Sequence, residues 1–187
     1  MATSPLRTRL LPARRTYDGT QIAAQWALRN LGIFGDSAVA FLGPCDVPTE
    51  ALHDIEDRRA GEFLRAREML HLIVEHFGER LDGAVWRQRI LVTLASELLR
   101  ERRIGVRRSG NDLFVGRRKL SVSIASCGAL SAKIHLGINI DPAGAPVPAI
   151  GLARLRVPAR PFARSLLSDY AAECSSALRA QAKAIAL

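Results

Sequence analysis

The chain is poor in cysteine and in long apolar stretches, and each of these two shortages argues against a class of protein. Its three cysteines form no C-x-x-C pair, which argues against a disulfide framework and against the common zinc sites. No stretch reaches the roughly 20 continuous apolar residues of a transmembrane helix, and no early segment has the length of a signal peptide. We therefore expect a cytoplasmic protein that does not enter a membrane.

The remaining composition is that of a globular protein. Of 187 residues, 48% are hydrophobic and 24% are charged, which gives enough apolar material for one core without disulfides or metals. Four arginines without a compensating acid, Arg7, Arg9, Arg14 and Arg15, precede the first periodic segment. We predict a flexible basic tail over residues 1–15, followed by a single domain over residues 16–187.

Hydrophobic periodicity predicts an α+β fold, with a central, mainly antiparallel sheet flanked by helices. A short apolar strand at 37–42 is expected to end at Gly43-Pro44. Helical spacing extends from Thr20 to Gly32, from Asp57 to Gly78 and from Trp86 to Arg103, and begins again at Pro161. Alternating strands are expected at 112–115, 119–126 and 133–140.

Two of these strands have one apolar and one polar face. Leu120, Val122 and Ile124 alternate with Lys119, Ser121 and Ser123, and the second strand places His135, Gly137 and Asn139 opposite its isoleucines and leucine. If both apolar faces meet the core, the five residues Ser121, Ser123, His135, Gly137 and Asn139 line a polar sheet face beside Lys119. A strand glycine such as Gly137 often marks the close approach of a ligand or of another chain segment.

Lys119 is the candidate catalytic residue of this face. It is one of three lysines among 27 basic residues, so a lysine here is not simply what the composition supplies. A compact ammonium suits a carboxylate or phosphate oxygen, and Arg117 and Arg118 are the neighbouring candidates for anion binding. The pattern therefore predicts a small carboxylate or nucleotide ligand. A solvated sheet face with a lysine beside a tight turn is the competing interpretation.

A basic cluster, defined as Arg100 to Lys119, gives an alternative function. It contains eight basic and two acidic residues, a net charge of +6, within a chain whose formal charge is +9. Such a cluster favours an anionic partner, and a nucleic-acid-binding module without catalytic activity is the second hypothesis. The structural alternative is an arginine-rich surface in contact with solvent.

Two acidic groups contain candidate metal ligands. Asp54, Glu56 and Asp57 have the oxygen donors that Mg²⁺ prefers, but the same pattern suits helix capping. Glu68, His71 and Glu75 are spaced three and four apart, as on one face of a helix. We predict no metal site, because no second histidine or cysteine cluster accompanies either group.

The run Asp112-Leu-Phe-Val-Gly-Arg-Arg-Lys119-Leu-Ser-Val-Ser, followed by His135-Leu-Gly-Ile-Asn-Ile, resembles the catalytic-lysine hairpin and following strand of biotin and lipoate protein ligases. The resemblance implies that Lys119 contacts the carboxyl and phosphate region of an acyl-adenylate. It also implies an ATP-dependent acyl ligase or an acyltransferase, with ATP and Mg²⁺ as cofactors. The match leaves open whether the chain is an enzyme.

Over nearly its whole length the chain also resembles a prokaryotic family known as domain of unknown function 366, which is grouped with the same ligase fold. The chain departs from biotin and lipoate ligases at Arg58-Arg59-Ala60-Gly61, which occupies the place of their glycine-rich loop and has helical spacing. These residues carry the family resemblance: Gly35-Asp36-Ser37, Gly43-Pro44-Cys45, Asp54-Ile-Glu-Asp57, Met69-Leu-His71, Glu75, Lys119-Leu-Ser-Val-Ser-Ile-Ala and Gly137-Ile-Asn139.

Overall fold

The computed structural model describes residues 6–185, and within them the chain forms eight strands and four α-helices. The strands are β1 (Arg7–Leu10), β2 (Ser37–Val47), β3 (Leu64–Phe77), β4 (Val106–Ser109), β5 (Asp112–Val115), β6 (Arg118–Lys119), β7 (Ser121–Cys127) and β8 (Ser131–Asp141). The helices are α1 (Trp26–Leu31), α2 (Ile55–Arg59), α3 (Leu81–Glu101) and α4 (Ala159–Lys183). The architecture is the predicted α+β type.

A five-stranded sheet divides the hydrophobic interior into two layers. Its strand order is β1-β2-β3-β8-β7, with β1 and β2 parallel and the other neighbours antiparallel. One layer packs α3 and α4 against one face of the sheet, and the other covers the opposite face with α1 and the segment that contains Tyr17. Both faces of the central strands are therefore buried.

The segment Leu64–Phe77 forms the long strand β3, so the helix predicted from Asp57 to Gly78 is wrong. Asp54, not Asp57, caps the short helix α2, because its carboxylate accepts hydrogen bonds from the N–H groups of Glu56 and Asp57. A strand buried on both faces has a nearly continuous apolar run rather than an alternating one. Met69 to Val74 has that run, which also fits helical spacing.

The described part of the predicted tail is ordered. β1 pairs in parallel with β2, and the following segment continues along β2, where Arg15 N–H donates to Leu42 O and Tyr17 N–H donates to Pro44 O. A Cβ on Gly43 would lie 1.9 Å from Arg15 O, so glycine is required where the two segments cross. Gly43-Pro44 therefore marks a bulge inside β2 and not its end. Residues 1–5 of the predicted tail lie outside the described part of the chain.

The strand predicted from Lys119 to Ser126 is divided at Leu120. Lys119 belongs to β6, which pairs with β5 in a three-stranded sheet of the order β4-β5-β6. After Leu120, β7 joins the five-stranded sheet beside β8. The break changes the phase of the alternation, so residues before and after Leu120 cannot be assigned to faces by counting in twos.

The helices α3 and α4 lie where helical spacing predicted them, and α1 is the short remainder of the first predicted helix. In α3, Leu91 and Leu98 are buried, while the apolar side chains of Trp86 and Ile90 are exposed. Over residues 6–185, none of the helices combines the length and the apolar character needed to cross a membrane.

Candidate functional site

Lys119 lies where the small sheet meets the five-stranded sheet. Its ammonium forms an ion pair with Asp112 on β5, with Nζ 2.9 Å from Oδ2, and both side chains are about a quarter exposed. Its backbone is held by a loop segment, since Lys119 N–H donates to Pro148 O and Lys119 O accepts from Ile150 N–H. The lysine is thus fixed at both its main chain and its charged end.

Two cavities meet at Lys119. One, of about 190 Å³, is bordered by polar and charged groups and is called the polar cavity below. The other, of about 230 Å³, is bordered mainly by apolar side chains and is called the apolar cavity. Asp57, Leu64, Lys119 and Val122 border both. The apolar cavity is closed further by Cys45, Phe63, Met69, Pro146, Val147 and Ala149.

Carboxylates outnumber ammonium groups around the polar cavity. Asp54, Asp57 and Asp112 border it together with Lys119, and Asn111 adds an amide. Burial and the neighbouring Asp54 raise the pKa of Asp57, while Lys119 opposes that rise. The ammonium therefore acts on two carboxylates, Asp112 by direct contact and Asp57 through its field.

His135 borders the polar cavity and stacks on a second buried histidine, His71. His135 Nε2 lies 3.1 Å from His71 Nδ1, and His71 Nε2 lies 3.3 Å from Gly43 O. The ring of Tyr17 stacks on His135 with centroids 3.7 Å apart and an interplanar angle of 15°. Burial lowers the pKa of His71 to about 4, and burial together with His71 lowers the pKa of His135 well below its ordinary value. Both imidazoles are therefore neutral near pH 7.

Gly137 leaves room for this histidine pair. A Cβ on Gly137 would lie 2.8 Å from Met69 Cε, 3.1 Å from His135 Cε1 and 3.3 Å from His135 Nε2. The group that approaches Gly137 is therefore the imidazole of His135, two residues earlier on β8. This ring lies along the strand. Asn139, two residues further, borders the apolar cavity and donates from Nδ2 to Lys119 O at 3.3 Å.

Ser121 and Ser123 project from the opposite sheet face to His135 and Asn139, so the predicted shared face is wrong, but Ser123 does border the polar cavity together with Lys119 and His135. Ser121 pairs with Ile138, and its buried hydroxyl accepts from Leu113 N–H at 2.9 Å. The Ser123 hydroxyl donates to His135 O and accepts from Gln88 Nε2 of α3. The residues that share the face of His135 and Gly137 are Ile124 and Val122.

Arg117 and Arg118 are exposed and border neither cavity. They therefore do not join Lys119 in one anion-binding group. Cys45 is buried beneath the apolar cavity, and burial raises the pKa of its thiol to about 12. Such a thiol remains protonated near neutral pH.

The acidic groups considered for metal binding have other partners. Asp54 caps α2, and Glu56 is exposed. Because β3 is a strand, Glu68, His71 and Glu75 do not form one helical face: Glu68 pairs with Arg14 and Glu75 pairs with Lys133. Within residues 6–185, no group of three or more His, Cys, Asp or Glu side chains is arranged to hold a metal ion.

Three residues of this site have no assigned role in the sequence patterns. Tyr17 lies just after the segment predicted to be flexible, and no local pattern identifies it. His71 was considered only as a metal ligand on a helix. Asp112 lies in the ligase-like hairpin, on the strand that pairs with the strand of Lys119. Its position seven residues before Lys119 was the sequence signal for an ion pair between the two side chains.

Comparison with known proteins gives the relatives of this chain. Residues 6–185 match the family described as Domain of unknown function (DUF366). An uncharacterised protein of Methanocaldococcus jannaschii is 39% identical over 150 residues, which cover 77% of this chain and 68% of that protein. A solved structure, described as a protein of unknown function from Pyrococcus horikoshi, is 36% identical with a TM-score of 0.90, and covers 97% of this chain and 98% of its own.

Biotin and lipoate ligases share the fold at low identity. A biotin protein ligase mutant from Aquifex aeolicus in complex with biotin has a TM-score of 0.57 and 16% identity, over 89% of this chain and 69% of the ligase. A lipoate-protein ligase A bound with ATP has a TM-score of 0.54 and 13% identity, over 89% of this chain and 85% of the ligase. The predicted ligase-like fold is confirmed.

Proposed function

Since this chain belongs to the family described as Domain of unknown function (DUF366) and has the fold of biotin and lipoate ligases, we propose that it binds a small carboxylate, or its acyl-nucleotide, at Lys119. One observation carries the proposal: a single ammonium lies between an apolar and a polar cavity. A ligand with an apolar body and an acidic end fits that arrangement, with its body in the apolar cavity and its acid beside Lys119.

The chemistry of Lys119 follows from its surroundings. Its ammonium already has Asp112 as a partner, so an acidic ligand either displaces that carboxylate or shares the ammonium with it. A preorganised ammonium in a partly enclosed site stabilises negative charge on a carboxylate or phosphate oxygen, which is the contribution that an acyl ligase or acyltransferase requires. No step is assigned to a metal ion, because the carboxylates of residues 6–185 form no ready metal site.

Binding of octanoate, lipoate, biotin and ATP to the full chain, measured by thermal shift and calorimetry, tests the proposal. We expect at least one carboxylate to bind, and Lys119→Met to weaken that binding by tenfold or more, because a charged hydrogen bond contributes about 1.5–3 kcal/mol. Lys183→Met is the matched control, since it removes an exposed lysine near the end of α4. If no carboxylate binds, or if Lys119→Met binds as tightly as wild type, the proposal fails.

A nucleic-acid-binding function is the second candidate. The seven arginines of the basic cluster are all exposed, and none of them forms an ion pair with the acidic side chains of residues 6–185. Arg107 lies over Phe114, with its guanidinium carbon 4.7 Å from the ring centroid, which leaves a flat cation on the surface. A strip of unpaired arginines suits phosphates spaced along a backbone.

Salt titration of single-stranded RNA binding tests this second candidate. Arg117→Gln with Arg118→Gln is expected to weaken binding and to reduce the slope of log affinity against log salt by about 1.4, at about 0.7 per phosphate contact. The control is Arg164→Gln with Arg179→Gln, which removes the same charge from the exposed side of α4. Equal effects of the two pairs would exclude a specific role of the basic cluster.

A further inference from the structure

The outer side of α3 carries two large apolar side chains that the hydrophobic core does not enclose. Trp86 and Ile90 have 73% and 42% of their surfaces exposed, although both belong to a helix that packs on the sheet. Residues four apart lie next to each other on one face of a helix, so the two side chains form one apolar patch. Tryptophan is among the residues most enriched where protein–protein interfaces bind most tightly.

The patch borders a groove between α3 and α4. The groove has a volume of about 350 Å³, and α4 contributes Tyr170, Cys174 and Ala177 to its wall. Tyr170 and Cys174 are buried, so the groove extends inward to the hydrophobic core. A partner that fills the groove therefore covers apolar surface of both helices.

Beside the groove, the exposed side of α4 has small side chains. Ala172, Ser176 and Ala180 repeat at steps of four, and all three are exposed. The distance between two packed helices depends on the side chains at their contact, so this side of α4 allows a second helix to lie close. The outer surface of the two helices thus combines an apolar patch with a smooth helix side.

Opposite charges lie at equal distances on either side of Ser176. Asp169 is seven residues before it and Lys183 is seven residues after it. Seven residues make about two helical turns, so both side chains lie on the same side of α4 as Ser176. Neither of them forms an ion pair with a charged side chain of residues 6–185.

We infer that this outer surface is the interface of a homodimer, in which α4 packs antiparallel against α4 of a second copy. A two-fold axis at Ser176 places Asp169 of each copy opposite Lys183 of the other, so the ion pair forms twice. An interface between identical chains needs one self-complementary surface, and the order of charges along α4 has that property. Trp86 and Ile90 then cover the side of the helix contact, and their exposed surface is removed from water.

The pairing leaves the site at Lys119 open. The helices α3 and α4 pack on one face of the five-stranded sheet. Tyr17, Met69 and Val122, which border the two cavities, pack in the layer on the opposite face. The dimer therefore does not depend on the proposed function, and Lys183→Met remains a neutral substitution for ligand binding at Lys119.

Sedimentation equilibrium of the full chain tests the inference. We expect wild type to form a dimer at micromolar concentrations, and Trp86→Ala to raise the dissociation constant of the dimer by about tenfold or more, as for an aromatic anchor of an interface. Phe34→Ala is the matched control, because Phe34 is 64% exposed and follows α1, which lies on the other side of the sheet. The control should dimerise as wild type does.

Two charge-reversed variants test the antiparallel pairing itself. Asp169→Lys alone and Lys183→Glu alone each place like charges opposite each other at both contacts, so each variant should dimerise about tenfold more weakly. An equal mixture of the two restores an acid opposite a base at both contacts, so the mixed dimer should form as tightly as the wild-type dimer.

Three results would overturn the inference. A wild-type chain that stays monomeric leaves this surface to solvent or to a different protein. Trp86→Ala that dimerises as well as Phe34→Ala excludes the apolar patch from the interface. A mixture of the two charge-reversed variants that associates no better than either variant alone excludes the two-fold axis at Ser176.

Discussion

The ammonium of Lys119 lowers the pKa of an acid with which it makes no ion pair. Asp57 has a raised pKa because burial and Asp54 disfavour its charged form, and Lys119 limits that rise. Lys119→Met removes the limiting charge, so we expect the pKa of Asp57 to rise further. Carboxyl NMR titration measures the change. Lys183→Met should leave the Asp57 titration unchanged, and the same titration in Lys119→Met and wild type would contradict the prediction.

Gly137→Ala tests whether the missing side chain serves the histidine pair. The added methyl would press on His135 and on the flexible end of Met69, and overpacking of this kind costs about 1–3 kcal/mol. We expect the free energy of unfolding to fall by about 1 kcal/mol, since alanine also restricts the unfolded chain. Urea denaturation gives the value.

The control for that substitution is Gly105→Ala. A Cβ at Gly105 would meet no atom within 4 Å, so the stability should be unchanged or slightly raised. Equal effects at the two glycines would show that contact with His135 has no part in the loss.

Single residues of the site were predictable where the local alternation is unbroken. His135, Gly137 and Asn139 lie on one face of β8, as their spacing predicts. Ser121 and Ser123 were assigned to the wrong face because β7 and β8 bury their apolar faces in different layers. Val122 and Ile124 of β7 pack in the layer of α1 and Tyr17, whereas the isoleucines and leucine of β8 pack in the layer of α3 and α4, and alternation within each strand cannot show this difference.

Among the elements, β3 depends on a buried ion pair. Glu75 and Lys133 are each 4% exposed, with Oε1 and Nζ 3.2 Å apart. The same Oε1 accepts from Ser131 Oγ at 2.7 Å and from Gln25 N–H at 2.8 Å. One carboxylate thus joins β3, β8 and the beginning of α1.

Removal of one partner should be costly. Lys133→Met leaves Glu75 buried without an opposite charge, which costs about 3–5 kcal/mol of unfolding free energy. Adding Glu75→Gln removes the charge but keeps an acceptor for Gln25 and Ser131, so the double variant should recover part of the loss. Chemical denaturation of the single and double variants measures the coupling. A double variant no more stable than Lys133→Met would contradict this account.

Helices with one exposed side were easier to predict than the central strand. In α3 and α4, polar residues repeat at helical spacing because one side meets water. From Met69 to His76 both sides of β3 are buried, and the polar residues His71 and Glu75 are paired within the protein. Its sequence therefore has no regular exposed positions to separate strand from helix.

At the scale of the whole molecule, the buried histidines make stability depend on pH. The folded-state pKa of His71 is about 4, below the ordinary 6.5 of an unfolded chain, and that of His135 is also lowered. Below pH 6.5 the unfolded chain binds protons that the folded chain does not, so stability is lost as pH falls from about 6.5 toward 4. For His71 alone, the loss between pH 7.5 and 5 is on the order of 2 kcal/mol.

Urea denaturation at pH 7.5 and pH 5 measures this loss. In His71→Gln, stability at pH 7.5 is expected to be lower than in wild type, but the further loss on going to pH 5 should be smaller. His53→Gln replaces an exposed histidine and should keep the wild-type pH dependence. If His71→Gln and wild type lose the same free energy between the two pH values, titration of the pair is not the cause.

The N-terminal segment was predicted to be flexible because the residues that hold it in place are distant in the sequence. Its four arginines without a compensating acid indicate a tail, but its backbone hydrogen bonds go to β2. The edge strand β1 is held by backbone hydrogen bonds to β2, so its side chains need not follow a recognisable strand pattern. Its charged residues are typical of an exposed sheet edge. Gly43 was the one visible sign, and it was interpreted as the end of a strand.

The crossing of Tyr17 over His135 sets an order of events during synthesis on the ribosome. Tyr17 leaves the ribosome early, together with the segment that pairs with β2, whereas His135 arrives with β8, which takes a place between β3 and β7. Until β8 is inserted, the nascent sheet has a gap and neither cavity has a floor. Under the proposed function, ligand binding begins only once β8 is in place, and a bound ligand then stabilises the sheet against the withdrawal of β8.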